Sequence, residues 1–312
     1  MRASSVAGVT LAGAAAAALG WHAVQRTRRA EEQYPPQGRF ISVDGVRLHY
    51  LDRGEGPPLV TIHGAGSMIP DIAGSPVYQE LVKSHRILSF DRPGYGYSER
   101  SKDRRWTARA QARLLHEAMD KLGVKRPLVL AHSWGCMPAL ALALTRPAPV
   151  AGLILMGGYY YPTFHPAVPL VGLFRGGPFS HVLSGALGRR MAWNGVRSSF
   201  WPDKPCNFDH FPLDIAAAPS RMGALGEDFR LLMSSAASLA PHYPEINLPM
   251  VILAGTADKV VDYRVHALRL HRDIPHAQLC LLPGTGHHIH YVCPDQVLGA
   301  VERTGRWARQ SW

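Results

Sequence analysis

Short apolar runs recur along most of the chain, and segments with helical periodicity separate them. The apolar runs cover residues 59–63, 87–90, 127–130, 150–155, 249–253 and 278–282. Helical patterns occupy residues 107–122, 137–145 and 295–308, and a further one lies between the last two apolar runs. Buried strands that alternate with helices are typical of a mostly parallel sheet covered on both faces. The pattern therefore predicts an α/β fold with a mostly parallel β-sheet.

This alternating region begins with a predicted hairpin and is interrupted once. The globular domain is expected to start near Arg39, where two alternating segments flank Asp44-Gly45, a dipeptide favoured in two-residue turns. Residues 160–225 lack the alternation and are rich in proline, glycine and aromatic residues. We therefore predict an inserted, mainly helical lid at 160–225 within a core formed by residues 39–159 and 226–312.

The first 38 residues differ from the rest of the chain. Residues 6–24 carry no Asp, Glu, Lys or Arg, and 19 residues in a helix would measure about 28 Å, close to the hydrocarbon thickness of a bilayer. We predict a membrane anchor there and a charged, turn-rich linker at 25–38. The three arginines that follow slightly favour a cytoplasmic position for the protein body. A cleaved signal that would place the protein in the periplasm or outside the cell, or a soluble alanine-rich helix, are the alternatives.

Charge and cysteine content limit the kinds of partner that the protein is expected to bind. The net charge is +11 over 312 residues, but no run of five or six basic residues occurs, so an arginine-rich solvated surface is a better interpretation than nucleic-acid binding. The four cysteines include no C-x-x-C pair, and we expect them to be reduced and structural. A small-molecule partner is expected, and the oligomeric state is left open.

The strongest local signal for chemistry is the sequence LVLAHSWG at residues 128–135. A buried strand leads into a serine between small residues, Ala131 and Gly135, and a helix begins at once. This context is typical of a nucleophile elbow, a tight turn that exposes a serine at a helix N-terminus. Ser133 is thus the predicted nucleophile. The alternative is a serine that only caps the helix.

A nucleophilic serine requires a base and an acid that orients the base. Asp258 follows the predicted strand at 249–253, and His287 follows the strand at 278–282, so both lie at the same ends of their strands. Asp262 is a rival acid that we expect to cap a helix, and His288 and His290 are rival bases. The predicted triad is Ser133, Asp258 and His287.

Several motifs in order give the chain a resemblance to a known family. They are HGAG at 63–66, DRPGYGYS at 91–98, AHSWG at 131–135, GTAD at 255–258 and GTGH at 284–287. From about residue 39 to the C-terminus, the chain resembles the α/β-hydrolase superfamily, in its serine-nucleophile, esterase- and lipase-like branch with a lid. In such proteins the Asp91 and Arg92 positions are structural and brace the site.

The resemblance implies an oxyanion hole and a reaction class. The backbone N–H groups of Ala65 and Trp134 match the two oxyanion donors of this fold, although a plain glycine turn also explains residues 63–66. The implied function is hydrolysis of an apolar, small to medium carboxylic ester, with no metal and no organic cofactor. The same residues would serve an amidase, a thioesterase, a C–C hydrolase or an acyltransferase. A cofactor-free oxygenase and a non-catalytic, membrane-tethered binding module are less favoured alternatives.

One related chemistry is excluded by the nucleophile. In epoxide hydrolases and haloalkane dehalogenases of this fold, an aspartate occupies the position of Ser133 and forms an alkyl-enzyme ester. A serine does not provide that carboxylate. The tyrosines at 159–161 are therefore interpreted as part of a pocket wall.

Overall fold

One eight-stranded sheet forms the centre of the protein. The structure, a computed structural model, describes the backbone of residues 2–175 and 177–310 and the side chains of residues 13–175 and 180–310. The strands in the described residues are β1 (Arg39–Val43), β2 (Val46–Arg53), β3 (Pro58–Ile62), β4 (Arg86–Phe90), β5 (Leu128–His132), β6 (Gly152–Met156), β7 (Met250–Gly255) and β8 (Gln278–Leu282). Their order is β1-β2-β4-β3-β5-β6-β7-β8.

Helices precede, connect and follow these strands. Within the described residues they are α1 (Arg2–Gln33), α2 (Ile69–Ala73), α3 (Pro76–Leu81), α4 (Ala108–Lys121), α5 (Cys136–Ala143), α6 (Val168–Val171), α7 (Gly177–Leu183), α8 (Arg189–Phe200), α9 (Leu213–Ala216), α10 (Pro219–Leu239), α11 (Ala267–Asp273), α12 (Ile289–Val292) and α13 (Pro294–Gln310). Thr107 caps α4, because its hydroxyl accepts a hydrogen bond from the Ala110 N–H.

The sheet has a short antiparallel edge and a parallel body. Strands β1 and β2 form the predicted hairpin, and Asp44 and Gly45 have φ values of +46° and +73°, which suit a two-residue turn that needs positive φ at both positions. Strand β2 also pairs antiparallel with β4, whereas the pairs from β4 through β8 are parallel. All residues of β5, β6 and β7 are buried, as expected for strands covered on both faces. The predicted fold class is confirmed.

Parallel pairing sets the position of the candidate site. The loops after β3, β5, β7 and β8 all leave the same edge of the sheet. These loops contain, in order, the HGAG motif, Ser133, Asp258 and His287. Residues far apart in the sequence therefore meet at one edge, as they do in open α/β sheets generally.

The segment between β6 and β7 is mainly helical. It contains α6 to α10, and α10 runs from Pro219 to Leu239. The boundary predicted at residue 225 falls inside this helix, because the sequence pattern alone does not show where the helix begins. An inserted lid in this region remains a proposal.

The predicted membrane anchor is wrong. Across the part of the chain that the structure describes, no helix combines the length and apolar character needed to cross a bilayer. The segment predicted to be a linker is also largely helical, since α1 continues through the arginines to Gln33.

Helix α1 is held against the protein body instead. Its Ala23 and Ala30 are buried. Arg26 forms an ion pair with Asp214 at 3.3 Å, and Glu31 forms one with Arg221 at 2.8 Å. The described C-terminal half of α1 therefore uses its small residues and charges to pack against the α7–α10 region.

Candidate active site

Ser133 lies in a strained turn between β5 and the helix that follows. Its φ is +55°, a left-handed conformation that is uncommon and costly for a residue with a Cβ. Gly135 lies two residues after Ser133. A Cβ at this position would lie 2.5 Å from the carbonyl oxygen of His63 and 2.6 Å from that of Ile62. Both contacts are too short for any side chain. The small residue two positions after the serine is therefore required by the approach of the β3 backbone.

His287 and Asp258 are joined directly. The Nδ1 atom of His287 lies 2.6 Å from Oδ2 of Asp258, and both side chains are almost fully buried. The other carboxylate oxygen of Asp258 accepts hydrogen bonds from the N–H groups of Val260 and Val261 at 2.7 and 3.0 Å. These bonds fix the carboxylate so that it orients the imidazole.

The rival residues lie in other environments. Asp262 is half-exposed, and its carboxylate accepts a hydrogen bond from the backbone N–H of Arg264, which agrees with a capping role. His288 and His290 both face Asp71, at 3.5 and 3.1 Å, instead of Asp258.

His132 links the nucleophile turn to the loop of His287. Its Nε2 lies 3.0 Å from the carbonyl oxygen of His287, so this nitrogen carries the hydrogen and donates it. Burial, together with the nearby His287, holds the pKa of His132 well below its ordinary value. Within the described residues, no hydrogen bond joins the Ser133 hydroxyl to the His287 ring, and in unliganded sites that bond is often long.

The candidate oxyanion loop is oriented by Arg92. The Arg92 guanidinium donates hydrogen bonds to the carbonyl oxygens of His63 and Gly64 at 2.9 and 2.8 Å. In a trans peptide the C=O and the next N–H point in opposite directions, so the Ala65 N–H points away from Arg92. A Cβ on Gly64 would lie 3.0 Å from Cβ of Ser133, which places this loop beside the nucleophile.

His63 completes the bracing of that loop. Its Nε2 accepts a hydrogen bond from the backbone N–H of Arg92 at 2.9 Å, so the ring hydrogen is on Nδ1. Nδ1 donates that hydrogen to the Gly64 carbonyl at 2.8 Å. Burial, together with the positive charge of Arg92, lowers the pKa of His63 to about 4. His63 is therefore neutral at pH 7.

A buried ion-pair network, which no sequence pattern indicated, connects this loop to α10. Arg92 lies 2.7 Å from Asp228, which also accepts hydrogen bonds from Tyr95 and Arg100 at 2.9 and 3.0 Å. Burial raises the pKa of Asp228, but Arg100 and Arg92 more than offset that effect and hold it below its ordinary value. Asp228 follows no recognisable motif, so local sequence does not identify it.

Asp91 braces the neighbouring segments. Its Oδ1 accepts a hydrogen bond from the Ile69 N–H at 2.8 Å, and its Oδ2 lies 2.7 Å from Nδ1 of His49. Neither Asp91 nor Arg92 has a contact with His287 among these bonds, in agreement with a structural role for both.

The structure also contains an open cavity. It has a volume of about 1250 Å³ and is lined by parts of α1, α10 and residues 94–105, including Arg28 and Arg175. Its lining contains none of the predicted triad residues.

Comparison with known proteins places the fold in a family. A family model for the alpha/beta hydrolase fold matches residues 57–178. The chain is 25% identical over 292 residues to haloalkane dehalogenase 2 of Mycobacterium tuberculosis (strain H37Rv), covering 87% of this chain and 96% of that protein. It is 36% identical over 131 residues to 2-hydroxymuconate semialdehyde hydrolase of Pseudomonas putida, covering 41% of this chain and 46% of that protein.

A solved structure has the same fold as this chain. Haloalkane dehalogenase DbeA from Bradyrhizobium elkani USDA94 superimposes with a TM-score of 0.71 at 20% identity, covering 88% of this chain and 99% of that one. The family match and these relatives support an enzyme of the hydrolase class. The chain belongs to the α/β-hydrolase superfamily.

Proposed function

We propose that the protein is a serine hydrolase that cleaves a carboxylic ester through Ser133, His287 and Asp258. The observation that carries the proposal is the 2.6 Å contact between His287 and Asp258, at the same sheet edge as a serine in a strained turn. A buried carboxylate that orients an imidazole, together with a half-buried serine in a tight turn at the same sheet edge, provides the groups that acyl transfer needs.

In the proposed mechanism, Ser133 attacks the ester carbonyl while His287 takes the hydroxyl proton on Nε2. Asp258 keeps the hydrogen on Nδ1 and stabilises the imidazolium that forms. His287 then gives the proton to the leaving alcohol, and water releases the acyl group by the same steps in reverse roles. The 2.6 Å contact supports this tautomer, because a carboxylate only accepts.

Negative charge on the carbonyl oxygen would be stabilised by the N–H groups of Ala65 and Trp134. The guanidinium of Arg92 supports the first of these, since it binds the Gly64 carbonyl and turns the Ala65 N–H the other way. Such preorganised donors act strongly in a site that excludes water.

Ester hydrolysis fits the nucleophile better than dehalogenation does. Relatives named haloalkane dehalogenase share the fold with this chain. A haloalkane has no carbonyl for Ser133 to attack, and displacement of a halide in this fold uses a carboxylate. The identity of Ser133 therefore favours an acyl substrate.

The surroundings favour an apolar acyl group of small to medium size. Leu225 of α10 lies within 4 Å of the position that a Cβ on Gly66 would take, above the oxyanion loop. The backbone N–H groups of His287 and His288 both donate to the carbonyl oxygen of Ser199, so α8 also borders the site. Residues of α8 and α10 thus border the loops that carry the proposed catalytic groups.

The test is a panel of acyl esters of graded chain length, with Ser133→Ala as the control. We expect turnover of short or medium esters, and a loss of several orders of magnitude in kcat for Ser133→Ala, as for other triad deletions. A fluorophosphonate should label the unaltered chain and not the variant. Retention of most esterase activity in Ser133→Ala would contradict the proposal.

Hydrolysis of a carbon–carbon bond is the second candidate. It is favoured by the 36% identity to 2-hydroxymuconate semialdehyde hydrolase over residues that represent 46% of that relative. The same serine and histidine would act on the keto group of such a substrate. Turnover of 2-hydroxymuconate semialdehyde, together with an inert ester panel, would select this function.

A further inference from the structure

A second group of ligand-type side chains lies behind the candidate active site. Asp71 belongs to α2, just after the oxyanion loop, whereas His288 and His290 follow the catalytic histidine position directly. Oδ1 of Asp71 lies 3.1 Å from Nε2 of His290 and 3.5 Å from Nε2 of His288. One ligand-type atom from each of the three residues lies within 4.8 Å of the other two, and all three side chains are buried.

The spacing suits a divalent cation. Zinc binds imidazole nitrogen and carboxylate oxygen at about 2.0–2.2 Å, so neighbouring ligand atoms of a tetrahedral site are separated by roughly 3.3–3.5 Å. The two separations from Asp71, 3.1 and 3.5 Å, are close to that value. Two imidazoles and one carboxylate form a donor set typical of zinc and similar metals.

The ligands are already oriented by neighbours. The Ser67 hydroxyl donates to Oδ2 of Asp71 at 2.5 Å, which leaves Oδ1 directed at the two histidines. The Tyr291 hydroxyl donates to the Asp71 carbonyl at 2.6 Å, and the Phe200 ring stacks on His288 at 4.4 Å. Contacts of this kind hold metal ligands in place in known sites.

The unsatisfied atoms of the cluster are not the candidate ligand atoms. In the part of the chain that the structure describes, the buried Nδ1 atoms of His288 and His290 have no hydrogen-bond partner. A cation bound through the Nε2 atoms would not change this. The support for a cation site is therefore the separation and the burial of Oδ1 of Asp71 and the two Nε2 atoms.

We propose that Asp71, His288 and His290 bind a zinc-like divalent cation through Oδ1 and the two Nε2 atoms. The cation would join α2, which follows the oxyanion loop, to the segment that follows His287. It would therefore fasten together the two segments on which the candidate catalytic groups depend. Cation binding does not depend on which substrate the enzyme uses, so it can be tested separately from the proposed function.

The experiment uses the full-length chain without a histidine tag. After treatment with chelator and dialysis against Zn²⁺, bound zinc is measured by mass spectrometry, and the Tm is measured with increasing Zn²⁺. We expect about one equivalent of zinc and a Tm that rises with its concentration, since a ligand of the folded state stabilises it. Co²⁺ should give the visible absorption of a low-symmetry nitrogen and oxygen site.

Asp71→Asn separates a metal site from a hydrogen-bonded cluster. An amide oxygen still accepts hydrogen bonds from the two rings but is a poor metal ligand, so zinc affinity should fall by at least about 100-fold, the upper range for losses from changes around a site. His290→Gln is the second variant if the first does not fold.

His242→Gln is the matched control, because His242 is a half-exposed histidine that pairs with Glu245 at 2.7 Å. The control should bind zinc like the unaltered chain. Two results would overturn the proposal: no zinc retained and no Tm response in the unaltered chain, or undiminished binding in both Asp71→Asn and His290→Gln.

Discussion

Arg92 and Asp228 form a fully buried ion pair, with 2.7 Å between the guanidinium Nη1 and the carboxylate Oδ2. Asp228 lies on α10, and the same guanidinium holds the carbonyls of His63 and Gly64. The pair therefore couples the helix that borders the site to the loop proposed as the oxyanion hole. A change in either residue should alter both stability and turnover.

Replacing Asp228 by Asn should destabilise the protein by about 3–5 kcal/mol, because the buried Arg92 would lose its carboxylate and Arg100 would keep only Glu227. The measurement is the free energy of unfolding in urea. Glu227→Gln is the control, since Glu227 pairs with the same Arg100 but is partly exposed, and it should cost less than about 1 kcal/mol. Equal losses of stability in the two variants would show that the buried pair contributes no more to the free energy of unfolding than the partly exposed pair.

Asp258→Asn should reduce kcat by roughly 10⁴-fold. The amide would set the wrong tautomer of His287, by analogy with the corresponding change in a serine protease, whose value is taken from that system. Asp262→Asn, four residues later and half-exposed, should change kcat little. Steady-state kinetics on the best ester decide the matter, and the reverse ranking would assign the acid to Asp262.

Gly135→Ala should destabilise the protein by about 1–3 kcal/mol and lower turnover, because its Cβ would overlap the carbonyl oxygens of Ile62 and His63 and displace the turn. Gly195→Ala serves as the comparison. Gly195 lies in the interior of α8 with no atom within 4 Å of an added Cβ, so alanine should stabilise by about 1 kcal/mol through helix propensity. Thermal unfolding and ester kinetics measure both effects, and a neutral Gly135→Ala would contradict the close approach.

The free energy of unfolding should decrease as the pH is lowered, because His63 has a lowered pKa in the folded protein. Its folded-state pKa is about 4 against an ordinary value of 6.5, so between these pH values the unfolded chain binds a proton that the folded chain does not. The free energy of unfolding should therefore decrease as pH falls below about 6.5, by about 1.4 kcal/mol per pH unit for this group. Above that range the contribution is fully present.

The corresponding experiment compares urea unfolding of the unaltered chain and of His63→Gln at several pH values between 7 and 4. Other buried histidines also contribute to the slope, so the informative quantity is the difference between the two proteins. His63→Gln should show a shallower decrease. Identical slopes would mean that His63 does not remain neutral in the folded protein.

Local sequence was sufficient for the sheet and for the candidate nucleophile. Strand β8 has the bounds that its apolar run indicates, and β3 to β7 lie within one or two residues of theirs, because burial on both faces selects continuous apolar residues. Ser133 could be recognised because the geometry of its turn depends on the contiguous residues 131–135. The edge at which Ser133, Asp258 and His287 meet followed from parallel strand order.

Features that depend on a distant partner were decided only by the tertiary structure. The contacts of α1 with the protein body, such as the pair between Arg26 and Asp214, join residues far apart in the chain and were not visible in the local sequence. Asp228 and Asp71 obtain their roles from arginine and histidine partners more than 100 residues away. Hydrophobic periodicity is local and can be read along the chain, whereas charge pairing and ligand geometry arise only when folding brings separate segments together.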